Sequence, residues 1–175
     1  MRYSRLFAAI PEQEKGSEEK FMSTEKLYQV ISETLKSIPV GEYTSEEKQL
    51  QPYLESEISK ILMNIFPEEY EIKMSVGGQG RPKVDLLGTN FWPDIEISKE
   101  GKPLLAIEVK LVRKSLATAV SSAIGQCLIY KLKYEYVIGF IRNQVQTYPK
   151  YNEFNEQFWQ MLERLKLELI IRSVF

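Results

Sequence analysis

Two charged residues lie inside the most apolar strand-like segment of the sequence. The segment "LLAIEVKLV", residues 104–112, is aliphatic except for Glu108 and Lys110. Successive side chains of a strand point to opposite faces, so these two residues share one face. In an edge strand they would simply pair with each other in water. The apolar neighbours on both faces favour a covered strand instead, where an acid and an amine are more often functional than structural.

A second acid, Asp94, follows Pro93 at the start of the preceding strand-like segment, "PDIEIS". The intervening "KEGK" has the length and the glycine of a hairpin turn. A three-residue loop would place Asp94 opposite Glu108. A two- or four-residue loop would place it opposite Ile107, unless a β-bulge restores the register. Carboxylates that face each other across two strands, about 5 Å apart, repel unless a cation lies between them. The candidates are the Lys110 ammonium group and a divalent metal ion.

Two helical segments carry further polar side chains. The segment that ends near Phe66 has Glu57 at the border of its apolar stripe, while Glu55 leans towards solvent. A solvated carboxylate and a site acid fit the Glu57 position equally well. The segment 114–133 places Gln126 and Tyr130 four residues apart, so both face the same way.

Composition narrows the chemistry. The chain has no histidine and one cysteine, which excludes catalytic Ser-His-Asp and Cys-His groups and argues against a zinc site. Oxygen ligands alone favour Mg²⁺ or Mn²⁺. A single cysteine suits a reducing compartment, and no apolar run approaches the roughly 18 residues of a membrane span. We therefore expect a cytoplasmic protein without a membrane partner.

The order of patterns predicts an α/β fold with a mixed sheet flanked by helices. Residues 1–22 resemble an irregular arm, residues 23–38 a helix, and Thr44 with Glu47 a capping box that starts a second helix. Strands and helices then alternate, and a strand–helix–strand unit that ends with 134–143 implies a parallel crossover. We divide the chain into an N-terminal arm and helix, residues 1–43, and a sheet domain, residues 44–175.

Pro93-Asp94, thirteen further residues and then Glu108-Val109-Lys110 resemble the signature of the PD-(D/E)xK nuclease superfamily. The helix with Glu57 and the Gln126-x-x-x-Tyr130 pair resemble the additional motifs of its RecB-type and exonuclease-like members. The resemblance covers about residues 45–142. It implies a restriction-endonuclease-like fold with an αβββαβ core, here with an N-terminal helical extension.

The resemblance also implies an activity, the Mg²⁺- or Mn²⁺-dependent hydrolysis of DNA phosphodiester bonds, with RNA left open. Asp94, Glu108, the Val109 carbonyl and Glu57 would hold the metal. Lys110 would position the attacking water or stabilise the transition state, and the Gln126–Tyr130 pair would orient Lys110 or touch a phosphate. Asp85, in "RPKVDLLG", is an alternative to Asp94.

Nucleic acid would need basic contacts, and residues 71–175 hold 15 Lys+Arg against 11 Asp+Glu. The candidates for phosphate contacts are Arg81, Lys83, Arg113, Lys114, Lys131 and Lys133. The acidic N-terminal part would suit a homodimer contact or a partner protein. A catalytically inactive nuclease-fold module, used for nucleic-acid binding or subunit assembly, is the competing interpretation.

Overall fold

The computed structural model describes residues 23–41, 47–66, 71–76, 83–145 and 156–173. Three features of the sequence lie outside these residues: the arm 1–22, the capping box at Thr44, and Arg81. The elements in chain order are α1 Thr24–Ser37, α2 Glu47–Ile65, β1 Ile72–Val76, β2 Val84–Leu86, β3 Thr89–Phe91, β4 Ile95–Lys99, β5 Lys102–Val112, α3 Leu116–Tyr130, β6 Tyr136–Asn143, α4 Glu156–Arg164 and β7 Leu167–Ser173.

The main sheet has five strands in the order β1-β4-β5-β6-β7. The pairs β1–β4 and β4–β5 are antiparallel, whereas β5–β6 and β6–β7 are parallel and are connected through α3 and α4. The expected α/β class, with a mixed sheet flanked by helices, is confirmed. β5 is therefore a central strand, with β4 on one side and β6 on the other.

Each face of the sheet is covered by helices. From Leu105 onwards, odd-numbered residues of β5, such as Ile107 and Val109, pack with α1 and α2, and even-numbered ones, such as Ala106 and Val112, pack with α3 and α4. Leu27, Ile31 and Leu35 of α1 belong to the same core as the sheet. Glu108 and Lys110, being even-numbered, belong to the α3 face. Within the described residues, no helix combines the length and the apolar character that crossing a bilayer requires.

The β4–β5 hairpin sets the position of Asp94. Its turn is the two-residue Glu100–Gly101, with φ of 54° and 73°, as in a type I′ turn. A β-bulge between Ile97 and Ser98 then shifts the register, so that Ile95 lies opposite Ile107. Continuing this antiparallel register by one residue pair, from Ile95 to Asp94 and from Ile107 to Glu108, places Asp94 opposite Glu108. The two-residue loop with a compensating bulge is thus the alternative that occurs.

A second hairpin differs from expectation. The sequence predicts one strand over residues 83–88, whereas β2 and β3 pair around Leu87 and Gly88 to form a separate two-stranded sheet. Both turn residues have positive φ, 53° and 76°. Leucine is unusual at such a turn position, which is why the pattern does not indicate the turn.

Candidate active site

Asp94 directly precedes β4 and is held by neighbours on two elements, β5 and α2. Its Oδ2 accepts a hydrogen bond from the Val109 N–H at 2.7 Å, and its carbonyl accepts one from Gln51 Nε2 of α2 at 3.2 Å. The register places Pro93 opposite Val109, and proline has no N–H to continue the ladder. The Asp94 carboxylate thus satisfies a backbone donor just beyond the paired part of β4.

Glu108 is the buried acid of the cluster, with 2% of its surface exposed. Its Oε1 pairs with Lys110 Nζ at 2.5 Å, and its Oε2 accepts a hydrogen bond from the Tyr130 hydroxyl at 2.8 Å. Burial raises the pKa of Glu108, and the negative charge of Asp94 adds to this, whereas Lys110 and Tyr130 act in the opposite direction. The Asp94 carboxylate is therefore close enough to influence the ionisation of Glu108.

Tyr130 connects three parts of the site. Its hydroxyl oxygen lies 2.8 Å from the Trp92 carbonyl oxygen as well as 2.8 Å from Glu108 Oε2. Burial and the nearby Glu108 raise the pKa of Tyr130, so its hydroxyl keeps its proton. Gln126 lies one helical turn earlier, and its Oε1 is buried without a hydrogen-bond partner among the described residues. The pair from the QxxxY pattern therefore belongs to the α3 face that covers Glu108.

The oxygen atoms of the site suit a hard divalent cation. A residue's N–H and C=O point to the same side of a strand, so the Val109 carbonyl faces the side where Asp94 accepts the Val109 N–H. Two carboxylates and this carbonyl fit Mg²⁺, which is commonly held by one or two carboxylates, waters and substrate phosphates. The unpartnered Gln126 Oε1 is an acceptor, as a bound water would require. Among the described residues, no three acidic or cysteine side chains form a group that would hold a metal on their own.

Two candidate acids are not brought to this cluster. The Glu57 carboxylate pairs with Lys60 at 2.5 Å, and Glu57 lies about 120° around α2 from Gln51, the residue that reaches Asp94. Asp85 is exposed on β2, in register with Asn90. Neither carboxylate has a hydrogen bond or ion pair with Asp94, Glu108 or Lys110 in the described part of the chain.

Sequence reasoning missed a second buried acid, Glu96, which has 2% of its surface exposed. It pairs with Ala106 in register, so it faces α3, and its Oε2 accepts a hydrogen bond from the Tyr134 hydroxyl at 2.9 Å. Tyr134 follows Tyr130 by four residues, and the two rings meet edge to face at 6.5 Å. The alternation of Asp94 and Glu96 along one strand, with Tyr130 and Tyr134 at helical spacing, was the available signal.

An open groove of about 650 Å³ starts at Lys110 and runs between the end of β5 and the beginning of α3. Basic side chains and hydroxyl groups line much of it. The lining residues include Lys110, Arg113, Lys114, Ser115, Thr118 and Ser122. Two of the candidate phosphate-binding side chains, Arg113 and Lys114, therefore share a concave surface with the site lysine, Lys110.

The remaining described basic candidates lie at the other end of α3. Lys131 Nζ donates to the carbonyls of Tyr134 and Glu135, and burial lowers the pKa of Lys131. Lys133 Nζ donates to the Lys83 carbonyl at 3.0 Å. Lys131 thus stabilises the turn after α3, while Lys83 and Lys133 are exposed at the base of the β2–β3 hairpin.

Comparison with family models, with curated protein sequences and with solved structures finds no significant match to this chain.

Proposed function

We propose that this chain is a Mg²⁺- or Mn²⁺-dependent nuclease of the PD-(D/E)xK superfamily that hydrolyses phosphodiester bonds of DNA. The observation that carries the proposal is the cluster of Asp94, Glu108 and Lys110 on one face of the sheet, at the beginning of β4. The series α2-β1-β4-β5-α3-β6 follows the order of an αβββαβ core and supports a restriction-endonuclease-like fold.

Asp94, Glu108 and the Val109 carbonyl would hold the metal, and Glu57 is left out of this ligand set because it lies about 120° around α2 from Gln51, which reaches Asp94. When bound, a divalent ion lowers the pKa of water and offsets negative charge on the phosphoryl group. Tyr130 donates to Glu108 and so fixes the orientation of its carboxylate. Gln51 and the Val109 N–H do the same for Asp94.

Lys110 connects the buried acid to the groove. Its side chain is 26% exposed, against 3% for that of Glu108, so the ammonium group can reach a phosphate or a water from solvent. A charge-assisted hydrogen bond from this amine would stabilise a developing oxyanion or hold the attacking water. Arg113 and Lys114 further along the groove would bind the neighbouring phosphates.

The test is cleavage of single-stranded, duplex and junction DNA, and of RNA, with Mg²⁺ or Mn²⁺ and with a chelator. Asp94→Asn keeps an acceptor for the Val109 N–H but removes the charge, and Lys110→Ala removes the amine. We expect either change to lower the rate about 10²-fold or more. Asp85→Asn is the matched control and should leave the rate unchanged. Loss of activity in Asp85→Asn alone would show that the ligand assignment is wrong.

A catalytically inactive module is the second candidate, because Lys110 already neutralises Glu108 in the absence of metal. Such a module would bind nucleic acid with an affinity independent of divalent ions and would cleave none of the four substrates. Metal-dependent cleavage that Asp94→Asn abolishes excludes it.

A further inference from the structure

An exposed tryptophan lies directly beside the candidate active site. Trp92 precedes Pro93-Asp94 and is 49% exposed. Its carbonyl oxygen is 2.8 Å from the Tyr130 hydroxyl that also contacts Glu108. The main chain that carries the indole is therefore fixed relative to both carboxylates, while a large part of the ring faces solvent.

The hairpin that leads into Trp92 carries a second exposed apolar side chain at its tip. Leu87 is 97% exposed and has a φ of 53°. A left-handed backbone costs a leucine about 1–2 kcal/mol, and Asn, Asp or Gly is preferred at this turn position. Leu87 gains no burial in return, so folding stability does not explain its presence, whereas a role in binding does.

Positive charge lies near the exposed apolar surface that Trp92 and Leu87 form. Lys133 Nζ donates to the Lys83 carbonyl, which joins the turn after α3 to the base of the hairpin. Both lysines are exposed, and neither ammonium group has an ion pair with the residues that the structure describes. An exposed aromatic ring with lysines around it is typical of surfaces that bind unpaired bases and the attached phosphates.

We propose that Trp92 stacks on an unpaired base next to the cleaved phosphate, and that Leu87 contacts the following base. The inference rests on the proposed function, which puts that phosphate at Asp94 and Glu108. Bases inside an intact duplex stack on one another and do not present a free face to Trp92. The substrate class is therefore single-stranded nucleic acid or a frayed end, with the backbone continuing into the groove at Arg113 and Lys114.

The two tryptophans of the chain allow a direct binding measurement. In a Trp159→Phe variant, Trp92 is the remaining tryptophan. Without divalent ions, so that no cleavage occurs, its fluorescence is titrated with a single-stranded oligothymidylate and with a blunt duplex of equal length. We expect saturable quenching by the single strand and at least fivefold weaker binding of the duplex. Equal binding of both would overturn the proposal.

Variants separate stacking from folding. By anisotropy of a labelled oligothymidylate, Trp92→Ala should weaken binding about 5- to 150-fold, as loss of one stacked base does, while Trp92→Phe should retain most of the affinity. Leu87→Asn should raise the melting temperature, because Asn suits the turn, and yet weaken binding. Met63→Ala, which truncates a side chain 79% exposed on α2, is the control and should change neither. Unchanged affinity in Trp92→Ala would overturn the proposal.

Two further outcomes are distinguishable. If Trp92 stacks but no substrate is cleaved, the proposed nuclease function fails and the stacking surface stands. If cleavage depends on Asp94 but Trp92→Ala changes neither affinity nor the preference for single strands, the function stands and this inference fails. A Trp92 emission shift that depends on protein concentration, without oligonucleotide, would show that a second copy of the chain covers the surface instead.

Discussion

At the scale of single residues, Glu108 experiences opposing influences on its ionisation. Burial and the nearby Asp94 favour its neutral form, whereas the Lys110 ammonium and the Tyr130 hydroxyl favour its charged form. The net effect is a pKa raised above the ordinary value of 4.5. Without a metal the site therefore holds a proton more tightly than the unfolded chain does, and this difference makes stability depend on pH.

The sign of this dependence can be tested with Glu108→Gln. Because the folded state binds the proton more tightly, the stabilising contribution of Glu108 is complete below pH 4.5 and is lost as pH rises through the raised pKa. The free energy of unfolding of the wild type minus that of Glu108→Gln should fall between pH 4 and the pH at which Glu108 is ionised. Urea unfolding across this range, with a chelator present, measures it. A difference that stays flat or rises would contradict the assigned shift.

Tyr130→Phe tests whether the hydroxyl orients the acid. The change removes the single hydroxyl proton that lies within reach of the buried Glu108 Oε2 and the Trp92 carbonyl, and we expect a loss of about 1–3 kcal/mol. If Mg²⁺ binds at Glu108 as proposed, it should raise the melting temperature of the wild type, and Tyr130→Phe should reduce this rise. Tyr28→Phe is matched, because it removes a 3.0 Å hydrogen bond to the Glu168 carboxylate on the other side of the sheet. Tyr28→Phe should lower stability but leave the Mg²⁺ dependence intact.

At the scale of elements, the contact between α3 and β6 determines how close Tyr130 comes to Glu108. Gly139 of β6 lies in register with Glu108 of β5. A Cβ at Gly139 would lie 2.7 Å from Leu169 Cδ2 and 3.3 Å from Cys127 Sγ of α3. Leu169 and Cys127 are buried, so neither can move away freely. The absent side chain at this position permits the close approach of the helix that carries Gln126 and Tyr130.

Gly139→Ala should therefore destabilise the protein by about 1–3 kcal/mol, because it overpacks the contact between α3 and the sheet. It should also reduce the Mg²⁺-dependent shift in melting temperature, since α3 has to move. Gly125→Ala is the paired control on the same helix, where an added Cβ meets no atom within 4 Å. That change should stabilise by about 0.5–1 kcal/mol through helix propensity. Thermal unfolding of Gly139→Ala and Gly125→Ala, with and without Mg²⁺, measures both quantities. Equal changes in melting temperature for the two variants would contradict the close-contact role of Gly139.

Local patterns were enough to predict the strand that carries Glu108 and Lys110, the parallel crossover and the shared face of Gln126 and Tyr130. The local patterns left the register of Asp94 open, because that register depends on a β-bulge at Ile97/Ser98 that the residue types there do not predict. They did not indicate the β2–β3 hairpin, because its turn uses a leucine. The position of Glu57 was ambiguous for a further reason: side-chain direction on a helix border depends on how the helix docks on the sheet.

At the scale of the whole molecule, the net charge is only −1, yet basic side chains are concentrated at both ends of α3. The groove at the beginning of α3 carries Lys110, Arg113 and Lys114, and the other end of α3 carries Lys133 next to the hairpin. The carboxylate pair lies between these two basic regions. A nucleic-acid strand that followed α3 would meet positive charge on both sides of the acids, so a chain without a basic net charge can still bind a polyanion locally.

This arrangement predicts how binding depends on salt. If Arg113 and Lys114 each contact a phosphate, replacing both by alanine should lower the slope of log affinity against log salt concentration by about 1.4 for a single strand, at about 0.7 for each contact. The control is the double variant Lys26→Ala, Lys60→Ala, which likewise removes two positive charges. These lysines lie on α1 and α2, on the opposite face of the sheet from the groove. That pair should leave the slope unchanged. Oligothymidylate anisotropy between 50 and 200 mM salt, roughly the range over which such contacts are lost, measures both. If the two double variants had the same slope, the effect would come from net charge, and the groove would not be the path of the backbone.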